Sequence, residues 1–419
     1  MRRIKALVLV LGVCLVGFTC CLLGVMVRQA KELREQARLS VGTGLLEQLT
    51  ITDRSGAPIY DGGYNEEELT RRSTFHIIGD LHGSLPNAVL TRQQTEATTP
   101  SFLTGFRSEP QTIQLTLDLR LQNAAYSLLQ DGGYRGAVVV LDYTTGDVLV
   151  MTSTPSVDAE NPDNYEDGAF LCKALLAYAP GSTMKAVTAA AGLEKDTVAA
   201  EAFTYTCGGF DDYARCADTT AHGTQHLCDI LVHSCNCGIG VFARTLLSPE
   251  ELNEFVLSAH LLDADIPCDF PGQASGHLDA GDDLTWSAIG QSTDLLTPIS
   301  LCAYYAAIAN QGVWIAPHLL TETEPAGEGI IERRTAQYLV DAMTPVAANA
   351  GIACSAFGKT GTAELDDAPP HGWFIISLTD EQAPPYTIAV FLENCGGASY
   401  AKALLAAFTN QYLLGGDVS

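Results

Sequence analysis

The longest apolar run of the chain lies at its beginning, where residues 6–27 are twenty-two positions without a charged side chain. At about 1.5 Å per residue, a helix of this length spans a bilayer core of roughly 30 Å. Arg2, Arg3 and Lys5 precede the run, and Arg28 ends it without the small residues of a cleavage site. The pattern therefore predicts an uncleaved membrane anchor, with a cleaved signal peptide as the alternative.

Beyond this run the apolar spacing changes from element to element. Helical spacing predicts helices over residues 116–130, 182–192, 297–310 and 400–413, and a helix or an approach segment over residues 170–179. Runs of β-branched and apolar residues predict strands over residues 136–141, 148–151, 356–363, 373–378 and 387–393, the first two as a hairpin around Gly146. Strands at both ends with helices between them indicate an α+β fold with an antiparallel sheet.

Domain boundaries follow from the same pattern. Residues 28–40 have the charge pattern of a helix that leaves the membrane. The sequence from there to about residue 107 contains short apolar segments and turn signals. Pro110 marks a change of composition. We therefore expect an anchor over residues 1–27, a small pedestal over residues 28–109 and one large domain over residues 110–419.

The composition narrows the possible functions. The chain has 419 residues, 47% of them hydrophobic, which is enough for a packed core. The formal net charge of −26 argues against binding to nucleic acid or to an anionic membrane surface, since both need clustered Lys and Arg.

The chain contains thirteen cysteines, so both disulfide formation and metal binding have to be considered. Cys207 and Cys216 are the best candidate pair for a disulfide, because they close a short loop rich in Gly and Asp. Free buried thiols and a metal site are the alternatives, although the C-x-x-C spacing of common zinc sites is missing. The same stretch also contains His222, His226, Cys228, His233, Cys235 and Cys237.

Ser182 and Lys185 form the first candidate catalytic motif, S-x-x-K. A serine hydroxyl is a weak nucleophile until a base lies within hydrogen-bond reach, and residues three apart share one face of a helix. Lys185 must be neutral to act as that base, so burial and a nearby positive charge have to lower its pKa. Alone, the motif is more simply explained as a helix cap with a solvated lysine.

Ser234 and Asn236 form the second motif, S-x-N, with Cys235 between them. Residues two apart in an extended loop point the same way, so both polar groups are expected to face the cleft while Cys235 faces inward. Ser234 would relay a proton and Asn236 would hold a substrate amide. Alone, the motif is more simply an ordinary polar turn.

The third motif is K-T-G on a predicted strand and consists of Lys359, Thr360 and Gly361, followed by Thr362. Gly361 allows another backbone to approach closely. Lys359 and the two threonines can bind a carboxylate, and the amide of Thr362 can stabilise an oxyanion together with the start of the Ser182 helix. The three motifs in this order are the residue set of serine acyl-transferases that act on D-alanyl peptides and β-lactams.

The chain resembles the class B penicillin-binding proteins over roughly residues 110–415. The resemblance rests on A-P-G-S-T-M-K at residues 179–185, where the family has P-P-G-S-T-x-K, on A-H-G at 221–223, on S-C-N at 234–236 and on K-T-G at 359–361. It rests further on the hairpin at 136–151, on Gly290-Gln291, Thr297-Pro298, Trp373-Phe374 and Glu393-Asn394.

The resemblance implies a membrane-anchored peptidoglycan D,D-transpeptidase with a penicillin-binding transpeptidase or serine β-lactamase-like fold and a helical subdomain. It implies Ser182 as the acylated residue, Lys185 as its base, Ser234 in catalysis, and Asn236, Lys359, Thr360, Gly361 and Thr362 in substrate binding. The expected ligands are D-Ala-D-Ala stem peptides and β-lactams, and the expected partner is a membrane glycosyltransferase. No cofactor and no metal-binding residue is expected, and the catalytic domain is placed outside the membrane.

Two other functions remain compatible with the motifs. A β-lactamase or a D,D-carboxypeptidase shares the triad but passes the acyl group to water, and Glu364 is the nearest carboxylate in sequence that could activate water. A sensor or a structural partner of the wall machinery would keep the acylatable serine without turnover.

Overall fold

The computed structural model describes residues 46–98, 111–269, 275–281, 283–291 and 293–415, together with ten positions between 15 and 28. Its strands are β1 (Leu49–Thr52), β2 (Pro58–Asp61), β3 (Gln111–Gln114), β4 (Gly136–Asp142), β5 (Val148–Thr154), β6 (Thr204–Cys207), β7 (Gly223–His226), β8 (Val313–Ile315), β9 (Gly327–Gly329), β10 (Ala356–Ala363), β11 (His371–Leu378) and β12 (Tyr386–Leu392).

The helices that the structure describes beyond residue 46 are α1 (Glu68–Ile78), α2 (Val89–Thr98), α3 (Leu119–Asp131), α4 (Met184–Lys195), α5 (Thr197–Ala202), α6 (Leu227–Val232), α7 (Asn236–Leu246), α8 (Pro249–Ser258), α9 (Leu284–Ala288), α10 (Pro298–Ala309), α11 (Arg333–Ala348) and α12 (Ala398–Phe408). The predicted α+β class is confirmed, and the predicted strands and principal helices are present with shifts of a few residues at their ends.

A five-stranded antiparallel sheet in the order β10-β11-β12-β4-β5 forms the centre of the fold. Its apolar residues alternate between two cores, as the period of two in a strand requires. Val139 and Ile375 pack into the core beneath α10, whereas Val140 and Ile376 pack into a second core with α3 and α12. Since helices cover both faces, most positions of these strands are buried.

A smaller sheet in the order β2-β1-β3 combines strands from both sides of the boundary predicted near Pro110. β1 pairs antiparallel with β2 and parallel with β3, which begins directly after Pro110. Leu49 and Ile113 belong to the same core as the main sheet, and Arg71 of α1 forms a buried ion pair with Asp158 at 2.6 Å. The described residues on both sides of the predicted boundary are therefore packed directly against each other.

The predicted anchor lies mostly outside the described residues, as does the helix predicted over residues 28–40. None of the helices within the described part of the chain is long and apolar enough to cross a bilayer.

The structure decides between two alternatives and corrects one prediction. Of the helix and the approach segment predicted over residues 170–179, the helix is not formed, because the helical turn there is a 3₁₀ turn over Lys173–Leu175. The helix predicted to start at Ser182 instead begins as a 3₁₀ turn over Gly181–Thr183, and α4 starts at Met184. The reason is the left-handed conformation of Gly181, with a φ of 54°, directly before the nucleophile candidate.

Candidate active site

Ser182 lies in a turn that is fixed from several sides. The amide of Gly181 donates to the carbonyl of Gly290 at 2.8 Å, and the indole Nε1 of Trp373 donates to the carbonyl of Ala179 at 3.0 Å. The phenol of Tyr305 donates to the carbonyl of Thr183 at 3.0 Å. Because the turn is held by backbone and buried side chains, the half-buried Ser182 hydroxyl has a defined position.

Close backbone contact also explains the glycine of K-T-G. A Cβ atom added at Gly361 would lie 2.9 Å from the carbonyl oxygen of Pro180, and one added at Gly181 would lie 2.5 Å from the carbonyl oxygen of Thr362. Real Cβ atoms do not approach backbone this closely, so a side chain at either position would separate the Ser182 turn from β10. The close approach expected of Gly361 is observed.

Lys185 connects the first two motifs. Its Nζ atom lies 2.9 Å from Ser182 Oγ, 3.0 Å from Ser234 Oγ and 2.6 Å from Asn236 Oδ1. It also bonds to the carbonyl oxygen of Ser234 at 2.6 Å. The side chain is fully buried, and this burial lowers the pKa of Lys185 to about 7.

Ser234 and Asn236 reach Lys185 from the loop before α7. Ser234 has a φ of 54°, a left-handed conformation that is uncommon for a non-glycine residue. Cys235 between them is buried, and its Sγ atom caps α7 by accepting from the amide of Gly238 at 3.2 Å. The two polar side chains of S-x-N thus both contact Lys185, whereas the cysteine between them faces the core.

Lys359 lies on β10, the edge strand of the main sheet next to the Ser182 turn. Its Nζ atom is fully buried and lies 3.0 Å from Ser234 Oγ and 3.3 Å from the carbonyl oxygen of Thr360. Burial, and then repulsion from Lys185, hold the pKa of Lys359 well below its usual range. Two buried amines around one hydroxyl cannot both remain charged without an anion nearby.

The threonines of the third motif border the open side of this cluster. Thr360 and Thr362 are both half-buried, and Thr362 Oγ1 accepts from the amide of Ala398 at 3.2 Å. Gln291 Nε2 lies 3.4 Å from the carbonyl oxygen of Thr362. Glu364 follows the end of β10, and its side chain is exposed.

Sequence reasoning assigned no role to Trp373, Tyr305 or Gly290, which hold the Ser182 turn. Trp373 and Gly290 belong to segments that carry the family resemblance. The residue type alone, however, does not predict which atoms these residues contact. The structure brings the Ser182 turn, the S-x-N segment and β10, which carry the eight predicted site residues, into contact through Lys185 and Lys359. The individual roles of these residues stay predictions.

Comparison with known proteins identifies this arrangement. The family described as "Penicillin binding protein transpeptidase domain" matches residues 136–413. The chain belongs to the class B penicillin-binding proteins. The peptidoglycan D,D-transpeptidase PbpA of Mycobacterium tuberculosis is 28% identical to it over 351 residues, which cover 70% of this chain and 69% of the relative.

Solved structures of penicillin-binding proteins have the same fold. The crystal structure of PBPA from Mycobacterium tuberculosis has a TM-score of 0.74 and 22% identity, covering 86% of this chain and 98% of that one. The same mycobacterial protein is solved as a penicillin G acyl-enzyme complex, with a TM-score of 0.70 and 23% identity over 86% of this chain and 97% of that one. PBP2 of Helicobacter pylori, solved in a complex with MreC, has a TM-score of 0.64 and 24% identity over 73% of this chain and 65% of that one.

Proposed function

We propose that this penicillin-binding protein is a serine D,D-transpeptidase that cross-links peptidoglycan stem peptides and is acylated by β-lactams at Ser182. The observation that carries the assignment is the set of contacts of Lys185, whose amine lies 2.9 Å from the Ser182 hydroxyl and also bonds to Ser234 and Asn236. The name of the mycobacterial relative and its β-lactam acyl-enzyme structure support the substrate class.

Substrate binding begins with the terminal carboxylate of a D-Ala-D-Ala stem peptide. We assign this carboxylate to Lys359, Thr360 and Thr362, because they line the β10 side of the cleft and Lys359 can donate a charge-assisted hydrogen bond. Asn236 holds the peptide amide on the opposite side. Gly361 keeps the strand close enough to the Ser182 turn for both sides to act on one substrate.

The carboxylate also sets the protonation state of the two lysines. In the free protein Lys185 contacts four oxygen atoms and Lys359 contacts two, so Lys185 has the better environment for an ammonium. A bound carboxylate favours the charged form of Lys359. Ser234 Oγ, 3.0 Å from each amine, can then pass one proton from Lys185 to Lys359. Lys185 is left neutral beside Ser182.

Acylation follows from that state. Neutral Lys185 accepts the proton of Ser182 as Oγ forms a bond to the carbonyl carbon of the penultimate D-Ala. The backbone amides of Ser182 and Thr362 stabilise the oxyanion. The C–N bond then breaks, and the terminal D-Ala leaves with the proton that Lys185 returns through Ser234.

Transfer to an amine completes the reaction. The amino group of a second stem peptide attacks the ester carbonyl, a new amide forms, and the Ser182 Oγ–C bond breaks with return of the proton to the serine. Glu364, the carboxylate nearest to the motifs in sequence, follows the end of β10 and has an exposed side chain. This exposure supports acyl transfer to an amine over hydrolysis.

The surroundings of the site fit a wall-synthesis enzyme. We propose residues 1–27 as a single-pass anchor, residues 28–109 as an extracytoplasmic pedestal and residues 110–419 as the transpeptidase domain, on the basis of the apolar run and of the composition change near Pro110. A membrane glycosyltransferase is the proposed partner. PBP2 of Helicobacter pylori is solved in a complex with MreC, so a penicillin-binding protein of this fold can bind a second protein. A complex with the partner of the present protein can be sought in the same way.

The test is labelling with a fluorescent penicillin, followed by mass-spectrometric mapping of the modified residue and by a D,D-transfer assay with an amine acceptor. Modification at Ser182 with transfer to the amine is the expected result. Modification at Ser182 with release only to water would assign a hydrolase, and acylation without any release from a D-alanyl substrate would assign a sensor or structural role.

A further inference from the structure

A cluster of metal-ligating side chains lies directly behind the S-x-N motif. One ligand atom from each of Cys207, Cys216, His222 and Cys235 lies within 4.8 Å of all the others. Three of the four side chains are buried and His222 is half-buried. None of them takes part in the proposed acyl transfer.

The fold assembles this cluster from two separate segments. Cys207 ends β6, Cys216 and His222 lie in the excursion between β6 and β7, and Cys235 is the cap of α7. The pairing of β6 with β7 and the packing of α7 against β6 bring the two segments together. The cluster therefore connects the S-x-N segment, which contains Cys235, to the loop between β6 and β7, which contains Cys216.

The distances match those between ligands of one tetrahedral zinc ion. Cys216 Sγ lies 3.7 Å from Cys207 Sγ and 3.6 Å from Cys235 Sγ. A Zn–S bond of about 2.3 Å in tetrahedral geometry separates two sulfurs by about 3.8 Å.

The three cysteine sulfurs also accept hydrogen bonds from backbone amides, as thiolate ligands of metals do. The amide of Gly209 donates to Cys207 Sγ at 3.3 Å, and the amide of Gly238 donates to Cys235 Sγ at 3.2 Å. The backbone amide of Cys237 donates to Cys216 in the same way. Hydrogen bonds to the ligand atoms are the usual second layer of a metal site, because they stabilise the charge on sulfur and orient it.

His222 supplies the independent observation that points to a ligand. Its Nδ1 atom is buried, and within the described residues it has no hydrogen-bond partner. The imidazole stacks in parallel on that of His233, with ring planes 2° apart and centroids 5.6 Å apart. The stacking holds the His222 ring in place beside the three sulfurs. A buried nitrogen without a hydrogen-bond partner can offer its lone pair to a metal ion there.

The disulfide expected between Cys207 and Cys216 is not formed in the structure. Cys216 lies at nearly equal distances from the sulfurs of Cys207, Cys235 and Cys237, at 3.7, 3.6 and 3.7 Å. A disulfide would link one pair and leave the remaining thiols and His222 without a function. One ion instead accounts for three sulfurs and the imidazole together.

We propose that Cys207, Cys216, Cys235 and His222 bind one zinc ion in a closed structural site. Three thiolates and an imidazole are a donor set that zinc prefers, and four protein ligands leave no position for catalysis. The ion holds Cys235 in place, and thereby fixes Ser234 in its left-handed conformation and Asn236 at Lys185. The catalytic steps themselves involve no metal.

The chain offers a matched control in Cys237. Its thiol is buried and lies 3.7 Å from Cys216 Sγ, but it falls outside the four-atom cluster and contacts the carbonyl oxygen of Ala214 at 3.4 Å. Cys216→Ser and His222→Ala remove proposed ligands, whereas Cys237→Ser removes a neighbouring thiol of the same type and burial.

The experiment uses the full-length protein in detergent, purified without chelators and without a nickel column. We expect about one zinc per chain by mass spectrometry of the metal, retained in Cys237→Ser and lost in His222→Ala. Growth with cobalt should give the visible bands of tetrahedral Co²⁺ and thiolate-to-cobalt charge transfer, which report on wild-type protein even if a variant does not fold. A zinc chelator should also lower the melting temperature of the wild type and of Cys237→Ser.

Three results would overturn the proposal. The first is a metal-free wild-type protein whose Cys207, Cys216 and Cys235 alkylate freely after unfolding. The second is a mapped disulfide that includes one of these three cysteines. The third is a zinc content that His222→Ala leaves unchanged while Cys237→Ser abolishes it. None of these outcomes depends on whether the enzyme transfers its acyl group to an amine or to water.

Discussion

Lys185 and Lys359 share one hydrogen-bond partner, the hydroxyl oxygen of Ser234, which lies 3.0 Å from each amine nitrogen. Both amines are fully buried, so the charge of one raises the free energy of charging the other. This arrangement couples the binding of a carboxylate at Lys359 to the loss of a proton at Lys185. It gives two similar residues different functions in one site.

The first prediction concerns the nucleophile. Ser182→Ala should abolish covalent labelling by fluorescent penicillin, because among the described residues only the hydroxyls of Ser182 and Ser234 form a hydrogen bond with Lys185. The melting temperature should stay close to that of the wild type, since Ser182 is half-buried in a turn that other residues hold. Labelling that moves to Ser234 in this variant would contradict the assignment.

The two lysines should respond differently to the same conservative change. Lys185→Arg should block acylation, because a guanidinium stays protonated and cannot act as a base. Lys359→Arg should retain part of the rate, since a guanidinium still binds a carboxylate. The second-order rate of benzylpenicillin acylation separates the two, and equal losses would count against a division of labour.

Acylation should depend on pH through Lys185. Its pKa is lowered to about 7 by burial, and in the free protein Lys185 carries the one proton that moves to Lys359 when a carboxylate binds. The acylation rate is therefore expected to fall as the pH increases through about 7, because the pair then loses the proton that Lys359 needs to bind the carboxylate. The measurement is the second-order rate constant against pH at constant ionic strength, and a rate that rises through pH 7 and then levels off would show that the shared proton is not required.

The penicilloyl enzyme should be long-lived. Glu364 is exposed beyond the end of β10, so Glu364→Gln should leave the deacylation rate unchanged. Release from a D-alanyl thioester should accelerate when an amine acceptor is added. Fast β-lactam turnover that disappears in Glu364→Gln would instead identify a hydrolase.

Trp373 should position the Ser182 turn through its indole. Trp373→Phe removes the hydrogen-bond donor to the carbonyl of the half-buried Ala179, which should lower the free energy of unfolding by about 1 kcal/mol and slow acylation. Ser248→Ala is a control for stability alone, because it removes the cap of α8, with an expected loss of about 1 kcal/mol. Equal acylation by the two variants would show that the indole contact is only structural.

Much of this protein follows from local pattern. The strands were predictable because their β-branched runs are buried on both faces, and α10 was predictable from its Thr297 cap and Pro298 start. The three motifs could be recognised because each has a short, fixed spacing. Spacing within one motif also fixes which side chains point together, as with Ser234 and Asn236 on either side of Cys235.

The sequence does not predict which distant segments of the chain contact each other. Gly181 and Gly361 are 180 positions apart, and only the packed structure shows that each lacks a Cβ because the backbone of the other segment occupies that space. The same holds for Cys207, Cys216, His222 and Cys235, whose irregular spacing gives no zinc signature. Local preferences act over a few residues, whereas convergence of side chains depends on how the whole chain packs, and that is decided only in the tertiary structure.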